Sequence, residues 1–598
     1  MSETQHTPFH FSPRPNRAHE IRWRPWGAPA FAEAQRVGKP VLLSLSAVWC
    51  HWCHVMDETS YSDPEVIRLI NDEFVPVRVD NDQRPDVNAR YNMGGWPTTA
   101  FLTPEGEILA GATYVPPEQM RELLLQVNAH YREHREEVAQ KVAELRQRRA
   151  SIAVTPPGSL TPDIPRTVLR AIIDAYDPVY GGFGEAPKFP HADSIALLLH
   201  IYRRSRDPDL LHIARKTLQS MAHSALFDHE WGGFFRYATR RDWSEPHYEK
   251  MLEDNAQLLR CFLSLYRITG DENHAAVASG IIQYLEAKLR DHQLGFFYGS
   301  QDADEEFYRL PASQRDHRPQ PFIDRRCYTA WNALAASAYL EASWSLSRPQ
   351  LAATALRTLD YLWAHLRAPE GGLYRYYDGQ KAAVPGILAD QAQAARAFLD
   401  AYEVAGDRQH LHRAAELARF IAERFADHAG SGFYDLSDQA EGVGRLAERQ
   451  RTPQDNAACA DVFLRLHHLT REEAFLPLAR QALEAFAGVY HNLGQFAASY
   501  AHQVDIYLNP PVVVNVVGEP SAAAALHRAA LSLDVPARLV QRLDPTGDAD
   551  RLAALSLPQK PAPAAYACLG ATCAEPVTDP QALAAAIAAL SGAQGAAQ

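Results

Sequence analysis

Two cysteines separated by two residues form the most reactive pattern in the sequence. Cys50 and Cys53 lie in the motif CHWC, directly after the strand-like run KPVLLSLS. A thiol at the start of a helix is stabilised as thiolate by the helix dipole, and a thiol three residues later can form a disulfide with it. We therefore predict that Cys50 attacks a disulfide and that Cys53 resolves the mixed disulfide, with the adjacent His51 increasing the thiolate fraction.

A second signal lies 43 residues after Cys53, in Trp96-Pro97-Thr98. This tripeptide has the form of the X-Pro-Thr turn that lies beside the CxxC motif in thioredoxin-like folds, usually with a cis peptide bond. Pro97 is therefore the third predicted catalytic residue. A purely structural role for the two cysteines is the alternative interpretation.

The same motif, read as CHWCH, is also the pattern of c-type haem attachment, with His54 as the axial ligand. Haem attachment requires export, and the first residues lack the basic and apolar regions of a secretory signal. Zinc is the other rival, but four ligands within five consecutive residues can hardly surround one ion, so a closed zinc site would need distant partners. We expect no bound metal and no cofactor.

Composition narrows the class of protein further. The chain has 598 residues, 46% of them apolar, and a formal net charge of −13, which predicts two to four globular domains and disfavours nucleic acid and membrane surfaces as partners. Seven cysteines are too few for a disulfide framework and fit a reducing compartment, although Cys568 and Cys573 are spaced so that they can pair. We predict a cytoplasmic protein without a membrane partner.

The first 150 residues have the pattern of a small α/β domain. Strands are predicted at 39–46 and 73–80, and a hairpin at 94–111 around Pro104, Glu105 and Gly106. A helix is predicted from Pro117 to Arg149. The proline-rich stretch at 155–162 then reads as a linker, so the first domain boundary is placed near residue 150.

A glycine-aromatic motif recurs through the next part of the chain, between long helices. It occurs six times, at Gly182, Gly233, Gly295, Gly372, Gly432 and Gly494. Each interval accommodates two helices, which predicts an all-α domain of six helical hairpins over 151–505, closed into an (α/α)6 toroid, with an open solenoid as the competitor. Residues 506–598 read as strand, helix, strand, and therefore as a small α/β C-terminal segment.

Several of these helices begin with acids, amides or an indole, groups that bind hydroxyls or stack on a sugar ring. The predicted substrate-binding residues are His191, Asp193, Glu253, Asp254, Asn255, Asp302, Asp304, Trp331, Asn332, Asp390, Asp455 and Asn456. In a toroid these helix starts converge on one mouth, where paired carboxylates can serve glycoside hydrolysis and a histidine with a glutamate can serve epimerisation. Ordinary helix capping by Asp and Asn is the alternative.

The run KPVLLSLSAVWCHWCHVMDETSYSDPEV, with GGWPTTAFLTPEGEILAG, FGEAPKFPHAD, MLEDNAQLL and AYACLGATCAEPVTDP, resembles the thioredoxin-domain family that includes spermatogenesis-associated protein 20 and bacterial relatives. The resemblance covers nearly the whole chain. It implies a multidomain protein with a thioredoxin-like α/β N-terminal domain and a six-hairpin toroid of the glycosidase type. It also implies that Cys50, Cys53 and Pro97 match the redox pair and turn proline of the family.

Three functions remain open from the sequence. The first is a thiol-disulfide oxidoreductase module fused to a carbohydrate-type pocket, with a protein dithiol or disulfide and a sugar-like small molecule as partners. The second is a sugar epimerase or glycoside hydrolase acting in the toroid, with the thioredoxin-like domain as a lid. The third is a non-enzymatic, redox-responsive binding scaffold. A fold alone does not choose among them.

Overall fold

A computed structural model describes residues 9–150, 157–559 and 562–595 of the chain. Its helices are α1 (Ala28–Val37), α2 (His51–Glu58), α3 (Pro64–Glu73), α4 (Pro85–Tyr91), α5 (Pro117–Glu133), α6 (Arg135–Ala150), α7 (Asp163–Asp174), α8 (Ala192–Ser205), α9 (Pro208–His223), α10 (Leu252–Thr269), α11 (Glu272–Tyr284), α12 (Glu305–Tyr308), α13 (Ala312–Arg315), α14 (Thr329–Ser345), α15 (Gln350–His365), α16 (Leu388–Ala405), α17 (Arg408–Arg424), α18 (Pro453–Thr470), α19 (Phe475–Glu484), α20 (Ala498–Leu508), α21 (Ala524–Leu531), α22 (Ala549–Ala554) and α23 (Leu583–Gly595). Its strands are β1 (Val41–Ser46), β2 (Val75–Asp80), β3 (Thr98–Leu102), β4 (Ile108–Ala112), β5 (Tyr237–Ala238), β6 (Pro246–His247), β7 (Lys250–Met251), β8 (Ser300–Gln301), β9 (Ile323–Asp324), β10 (Cys327–Tyr328), β11 (Tyr374–Tyr377), β12 (Ala382–Pro385), β13 (Val512–Val517), β14 (Arg538–Leu543), β15 (Ala564–Leu569) and β16 (Thr572–Cys573).

The chain divides into two compact units, and both are discontinuous in sequence. The first unit comprises Met1–Val154, Ser300–Asp324 and Asp438–Gln450, and the second comprises Thr155–Gly299, Arg325–Ser437 and Arg451–Gln598. The division into 1–150, 151–505 and 506–598 stays a prediction. The two later segments of the first unit were not foreseen.

The first unit contains the predicted thioredoxin-like α/β fold. Its four-stranded sheet has the order β2-β1-β3-β4, in which β1 is parallel to β2 and antiparallel to β3. Every residue of β1 is buried, as expected for a central strand that reads as a continuous apolar run. The predicted single helix after the hairpin is two helices, because His134 leaves the helical conformation between α5 and α6.

The segment 438–450 is held in the first unit by backbone and side-chain hydrogen bonds. The Arg445 N–H donates to the hydroxyl of Tyr91 at 2.8 Å, and that hydroxyl donates to the carbonyl of Gly106 at 2.8 Å. The carboxylate of Glu441 accepts the N–H of Ala28 at 2.6 Å. These bonds satisfy polar groups at the start of α1 and at the end of α4 with a segment more than 300 residues away in sequence.

The second unit contains the closed (α/α)6 toroid. Its inner helices are α8, α10, α14, α16, α18 and α20, each of which packs on the next, and α20 packs on α8. The outer helices α9, α11, α15, α17 and α19 pack on the inner helix that precedes each of them, and α7 packs on α20. Closure of this ring excludes the open solenoid.

A four-stranded sheet with the order β14-β13-β15-β16 follows the toroid in the second unit. Strand β13 is parallel to β14 and antiparallel to β15, as a strand-helix-strand connection through α21 permits. Val514, Val540 and Ile587 meet in its core. The predicted small α/β segment is therefore present. Within the ranges that the structure describes, no helix is both long and apolar enough to cross a membrane.

Candidate functional site

Cys50 and Cys53 lie at the start of α2, immediately after the loop that leaves β1. Cys50 is the N-cap residue of this helix, and its Sγ accepts the N–H of Cys53 at 3.1 Å. The two cysteines form a disulfide. Cys50 is 6% exposed and Cys53 is 2% exposed, so Cys50 is the more exposed residue, and it lies where the helix dipole stabilises a thiolate.

The Trp96-Pro97 turn lies next to this motif. The peptide bond between Trp96 and Pro97 is cis, and Thr98 pairs with Leu45 near the end of β1 from which the CxxC motif emerges. The ring of Trp96 packs edge-on against Trp49, with 5.6 Å between ring centroids. The structure thus brings together the three residues predicted to be catalytic, Cys50, Cys53 and Pro97, around neighbouring strand ends.

A buried ion pair that was not predicted joins α2 to β2. Arg78 of β2 donates to both carboxylate oxygens of Asp57 at 2.8 and 2.9 Å. The N–H of Ser12 donates to Asp57 Oδ2 at 3.1 Å, and Arg78 also donates to the carbonyl of His10 at 3.2 Å. An arginine within an otherwise apolar strand is the sequence signal that points to such a pair.

His54 and Asp302 meet in the first unit, although 248 residues separate them. His54 Nδ1 lies 3.6 Å from Asp302 Oδ2, and both side chains are buried. Asp302 directly follows β8, and its N–H donates to the carbonyl of Phe322 at 2.8 Å. Phe322 stacks on His10 with 4.3 Å between ring centroids. Burial lowers the pKa of His54, and the Asp57 carboxylate opposes this shift.

Two residues predicted to bind substrate lie in the first unit, and their binding roles stay predictions. Asp302 was predicted to bind substrate in the toroid, but the segment 300–324 belongs to the first unit. Asp304, predicted in the same role, is the N-cap of the short helix α12, where its Oδ1 accepts the N–H of Phe307 at 2.9 Å. A helix cap satisfies orphan backbone groups and needs no ligand.

Three of the predicted substrate-binding amides form backbone clamps. Asn255 exchanges hydrogen bonds with the N–H and carbonyl of Phe234 at 2.7 and 3.0 Å, and Asn332 does the same with Phe297 at 2.7 and 2.9 Å. Asn456 binds Phe433 at 2.7 and 2.9 Å. Each amide also donates to the carbonyl four residues before it at 2.9 to 3.0 Å. These fully buried amides hold the glycine-aromatic turns, and their assignment to substrate binding stays a prediction.

Three of the remaining inner-helix acids interact with Arg375 of β11. Arg375 donates to Asp390 Oδ1 at 3.1 Å, and the N–H of Ala330 donates to the same oxygen at 3.0 Å. The guanidinium carbon of Arg375 lies 5.3 Å from the ring centroid of Tyr328 and 5.4 Å from that of Trp331. The predicted site residues that interact electrostatically with this arginine or with one another are Glu253, Asp254, Asp390 and Asp455, and Trp331 hydrogen-bonds Glu253.

Burial controls the ionisation of these acids. Burial, and then the charge of Glu253, raise the pKa of Asp254 to about 7. Burial raises the pKa of Asp390 and that of Asp455 to about 6 each, against the attraction of Arg375. Carboxyl groups that titrate near neutral pH can donate and accept protons at the same pH. Sequence reasoning missed Arg375, whose only signal is its place between aromatics in YRYYDG.

His191 and Asp193 lie at the start of α8 and contact the segment around the start of α20. The ring centroid of His191 is 5.7 Å from that of Phe496, and His191 has a left-handed backbone with φ of 49°. Burial lowers the pKa of His191. Burial raises the pKa of Asp193, and the positive charge of Arg396 opposes this shift.

The other cysteines separate into a pair and three isolated thiols. Cys568 and Cys573 lie opposite each other on β15 and β16 and form a disulfide. Cys261, Cys327 and Cys459 are free and buried. Burial raises the pKa of each of these three thiols, which disfavours the reactive thiolate.

The fold and these sites define a chain that joins a thioredoxin-like domain with a CxxC disulfide to an (α/α)6 toroid. Residues 12–149 match the family model Thioredox_DsbH, described as "Protein of unknown function, DUF255". The chain is 27% identical to spermatogenesis-associated protein 20 of Homo sapiens over 703 aligned positions, which cover 94% of this chain and 89% of that protein. The family resemblance predicted from the sequence is confirmed.

Two shorter similarities concern one part of the chain each. Over 84 residues, 13% of this chain and 14% of the other, it is 34% identical to "Thiol:disulfide interchange protein DsbD 1" of Pseudomonas aeruginosa. The structure of cellobiose 2-epimerase from Bacillus thermoamylovorans B4167 is similar to 55% of this chain and 87% of its own, with a TM-score of 0.46 and 13% identity. The toroid itself is established by the closed ring of inner helices.

Proposed function

We propose that this protein is a thiol-disulfide oxidoreductase that acts through Cys50 and Cys53. The observation that carries the proposal is the position of Cys50 Sγ at the N-cap of α2, where it accepts the N–H of Cys53 at 3.1 Å. This hydrogen bond and the helix dipole stabilise the thiolate that exchange requires. The name of the similar DsbD protein supports the same chemistry.

The exchange is balanced by the two cysteines and a partner disulfide. The thiolate of Cys50 attacks one partner sulfur, a Cys50–partner disulfide forms, and the other partner sulfur leaves with the electron pair and takes up a proton. The thiol of Cys53 then gives up its proton and attacks Cys50, which releases the first partner sulfur as a thiol. Two electrons pass to the partner, and an external dithiol reduces the Cys50–Cys53 disulfide again.

The test uses the full chain and measures insulin reduction with dithiothreitol as the electron source. Wild type accelerates the reduction, and Cys50→Ser abolishes the acceleration. Cys53→Ser accumulates a mixed disulfide at Cys50, detected by mass spectrometry. The paired variant Cys568→Ser with Cys573→Ser is the matched control and retains activity. Wild-type protein that neither reduces insulin nor changes its Cys50–Cys53 state across a series of dithiol buffers contradicts the proposal.

A second candidate function is supported by the acids around Arg375. Asp254, with a pKa of about 7, and the neighbouring Glu253 offer a proton donor and acceptor, while Trp331 and Tyr328 offer ring faces for a sugar. The proposed reaction is epimerisation of a sugar-like molecule, in which one carboxylate removes the proton beside the carbonyl and one carboxyl group returns a proton to the opposite face.

This candidate is tested by proton exchange with solvent. Full-length protein is incubated with a panel of aldoses in deuterium oxide, and incorporation of deuterium at carbon 2 is followed by NMR. Incorporation that Glu253→Gln and Asp254→Asn abolish supports the epimerase. Asp304→Asn, which changes a helix cap in the first unit, is the control. Wild-type protein that incorporates no deuterium contradicts the proposal.

A further inference from the structure

His54 lies one helical turn after Cys50 on α2. Its N–H donates to the carbonyl of Cys50, the N-cap of this helix, at 3.2 Å, so His54 lies one turn after the cap. Helical side chains lean toward the N-terminus of their helix, which directs the imidazole toward the end of α2 that Cys50 caps. The backbone of Val48, two residues before Cys50, hydrogen-bonds this ring, which agrees with that direction.

The two ring nitrogens of His54 have different surroundings. Nδ1 faces Asp302 Oδ2 at 3.6 Å. Nε2 is buried and has no hydrogen-bond partner among the residues that the structure describes. A buried polar atom without a partner loses its hydrogen bonds to water without replacement, so a nitrogen in this position calls for a functional explanation.

Asp302 is held in place by its own segment. Its Oδ1 accepts the N–H of Ala303 at 2.8 Å, and its N–H donates to Phe322. The carboxylate oxygen that faces His54 is therefore the other one, Oδ2. A carboxylate that faces Nδ1 favours the tautomer with the proton on Nδ1, which leaves Nε2 as a proton acceptor.

We propose that His54 accepts the proton of the Cys50 thiol at Nε2 and that Asp302 is the positioning residue that orients it. This inference rests on the proposed oxidoreductase function and deepens it. In the oxidised chain the Cys50 sulfur carries no proton, because it is bonded to Cys53. Nε2 gains its partner when the disulfide is reduced.

The proton and the electrons balance in this scheme. In the reduced protein, neutral His54 takes the proton from the Cys50 S–H and leaves a thiolate beside an imidazolium. The thiolate attacks the partner disulfide and forms a Cys50–partner bond. The departing partner sulfur takes the electron pair of the broken bond, and the imidazolium returns the proton to it. Cys53 then resolves the mixed disulfide as described above.

The charges that face His54 come from three elements. Asp57 and Glu58 of α2 and Asp302 of the segment 300–324 favour the imidazolium, whereas Arg78 of β2 disfavours it. Burial is the largest influence on the pKa of His54 and lowers it. In the oxidised protein, where Cys50 is in the disulfide, the imidazole is therefore neutral near pH 7, as a proton acceptor must be.

The test measures alkylation of Cys50 by iodoacetamide as a function of pH in the reduced full-length protein, with the Cys50 peptide quantified by mass spectrometry. We expect His54→Gln to reduce the rate at pH 6.5 about tenfold, the effect of one pKa unit on the thiolate fraction. Asp302→Asn has a smaller effect in the same direction, and Asp302→Glu restores part of the rate. His130→Gln, at an exposed position on α5, is the control and changes the rate less than twofold.

Unchanged pH profiles in His54→Gln and Asp302→Asn, with near-UV circular dichroism of the folded protein, overturn the inference. A shift caused by His51→Gln and absent from His54→Gln also overturns it. Asp302→Asn keeps the test decisive if His54→Gln fails to fold. If the proposed oxidoreductase function is wrong, the wild type fails to reduce insulin. If only the role of His54 is wrong, His54→Gln and Asp302→Asn both reduce insulin as the wild type does.

Discussion

The side chain of Asn332 closes a ring of two hydrogen bonds with the backbone of Phe297, at 2.7 Å from the Phe297 N–H to Oδ1 and 2.9 Å from Nδ2 to the carbonyl. Gln391 makes the same pair of bonds with Leu373 at 2.7 and 2.8 Å. The glycine-aromatic turn and the polar helix start that recur in the sequence are therefore two halves of one clamp. Each clamp ties a turn to the inner helix that follows it.

Replacement of a clamp amide should destabilise the toroid without any change in ligand chemistry. In Asn332→Ala the buried N–H and carbonyl of Phe297 lose their partners, which should lower the free energy of unfolding by about 2–4 kcal/mol. Urea unfolding followed by tryptophan fluorescence measures this loss. Asn273→Ala, at an exposed position on α11, should cost less than about 0.5 kcal/mol. Equal costs for the two variants would contradict the clamp.

The turns that precede these clamps have room for glycine alone. At Gly232, where φ is +79°, an added Cβ would lie 2.1 Å from the carbonyl oxygen of Gly280. Gly232→Ala should therefore cost more than the roughly 1 kcal/mol that a left-handed alanine costs by itself. Gly270→Ala is the control, since φ there is +66° and no described atom lies within 4 Å of the added Cβ. Thermal unfolding midpoints should fall further for Gly232→Ala than for Gly270→Ala.

The Asp57–Arg78 ion pair should show strong coupling. Removing one partner leaves an uncompensated buried charge, so Asp57→Asn and Arg78→Met should each cost about 3–5 kcal/mol. The double variant should cost less than the sum of the two single variants, because it removes both charges. A double-mutant cycle in urea measures the coupling. Additive costs would show that the two side chains act independently.

Stability of the toroid should depend on the ionisation of Asp254. Its pKa rises from 3.8 to about 7 on folding, so the folded chain binds more protons than the unfolded chain between about pH 4 and pH 7, and stability falls as the pH rises through that window. Asp254→Asn removes this dependence. We therefore compare the thermal midpoint of Asp254→Asn with that of wild type at each pH. The midpoint of the variant minus that of wild type should be about 2–4 °C more positive at pH 8 than at pH 5.

Glu341, whose pKa shifts in the opposite direction, provides the control for this prediction. Arg267 and Arg260 hold the pKa of Glu341 down at about 2, and Glu341 accepts hydrogen bonds from them at 2.7 and 2.8 Å. In the unfolded chain the carboxyl of a glutamate has a pKa of about 4, and above that pH the ionised Glu341 stabilises the fold. Glu341→Gln should therefore destabilise the protein at both pH 5 and pH 8. Equal midpoint differences for Asp254→Asn at the two pH values would contradict the assignment.

Local patterns were sufficient to predict the parts of the fold that local interactions determine. The apolar run before Cys50 predicted β1, and the turn at Pro97 was correctly placed beside the CxxC motif. Six recurrences of a glycine-aromatic turn predicted the toroid. The break at His134 was missed, because no glycine or proline marks it.

Residues whose roles depend on distant contacts were not predictable in the same way. Asn255, Asn332 and Asn456 have the residue type and position of ligand-binding amides, and only the backbone opposite them shows that they are clamps. Asp302 lies 249 residues after Cys53, and nothing in its neighbourhood in sequence signals that it faces His54. Arg375 was missed because a short strand between two helices carries no periodic pattern.

The discontinuity of the first unit has a consequence during synthesis on the ribosome. Its sheet and CxxC helix are translated within the first 150 residues, but Asp302 and Arg445, which complete the surroundings of His54 and Tyr91, emerge much later. At about 5–20 residues per second, the interval between residues 150 and 302 is about 8–30 s. During that time the nascent chain carries Cys50 without its distant carboxylate, and thiol reactivity is that of an incomplete site.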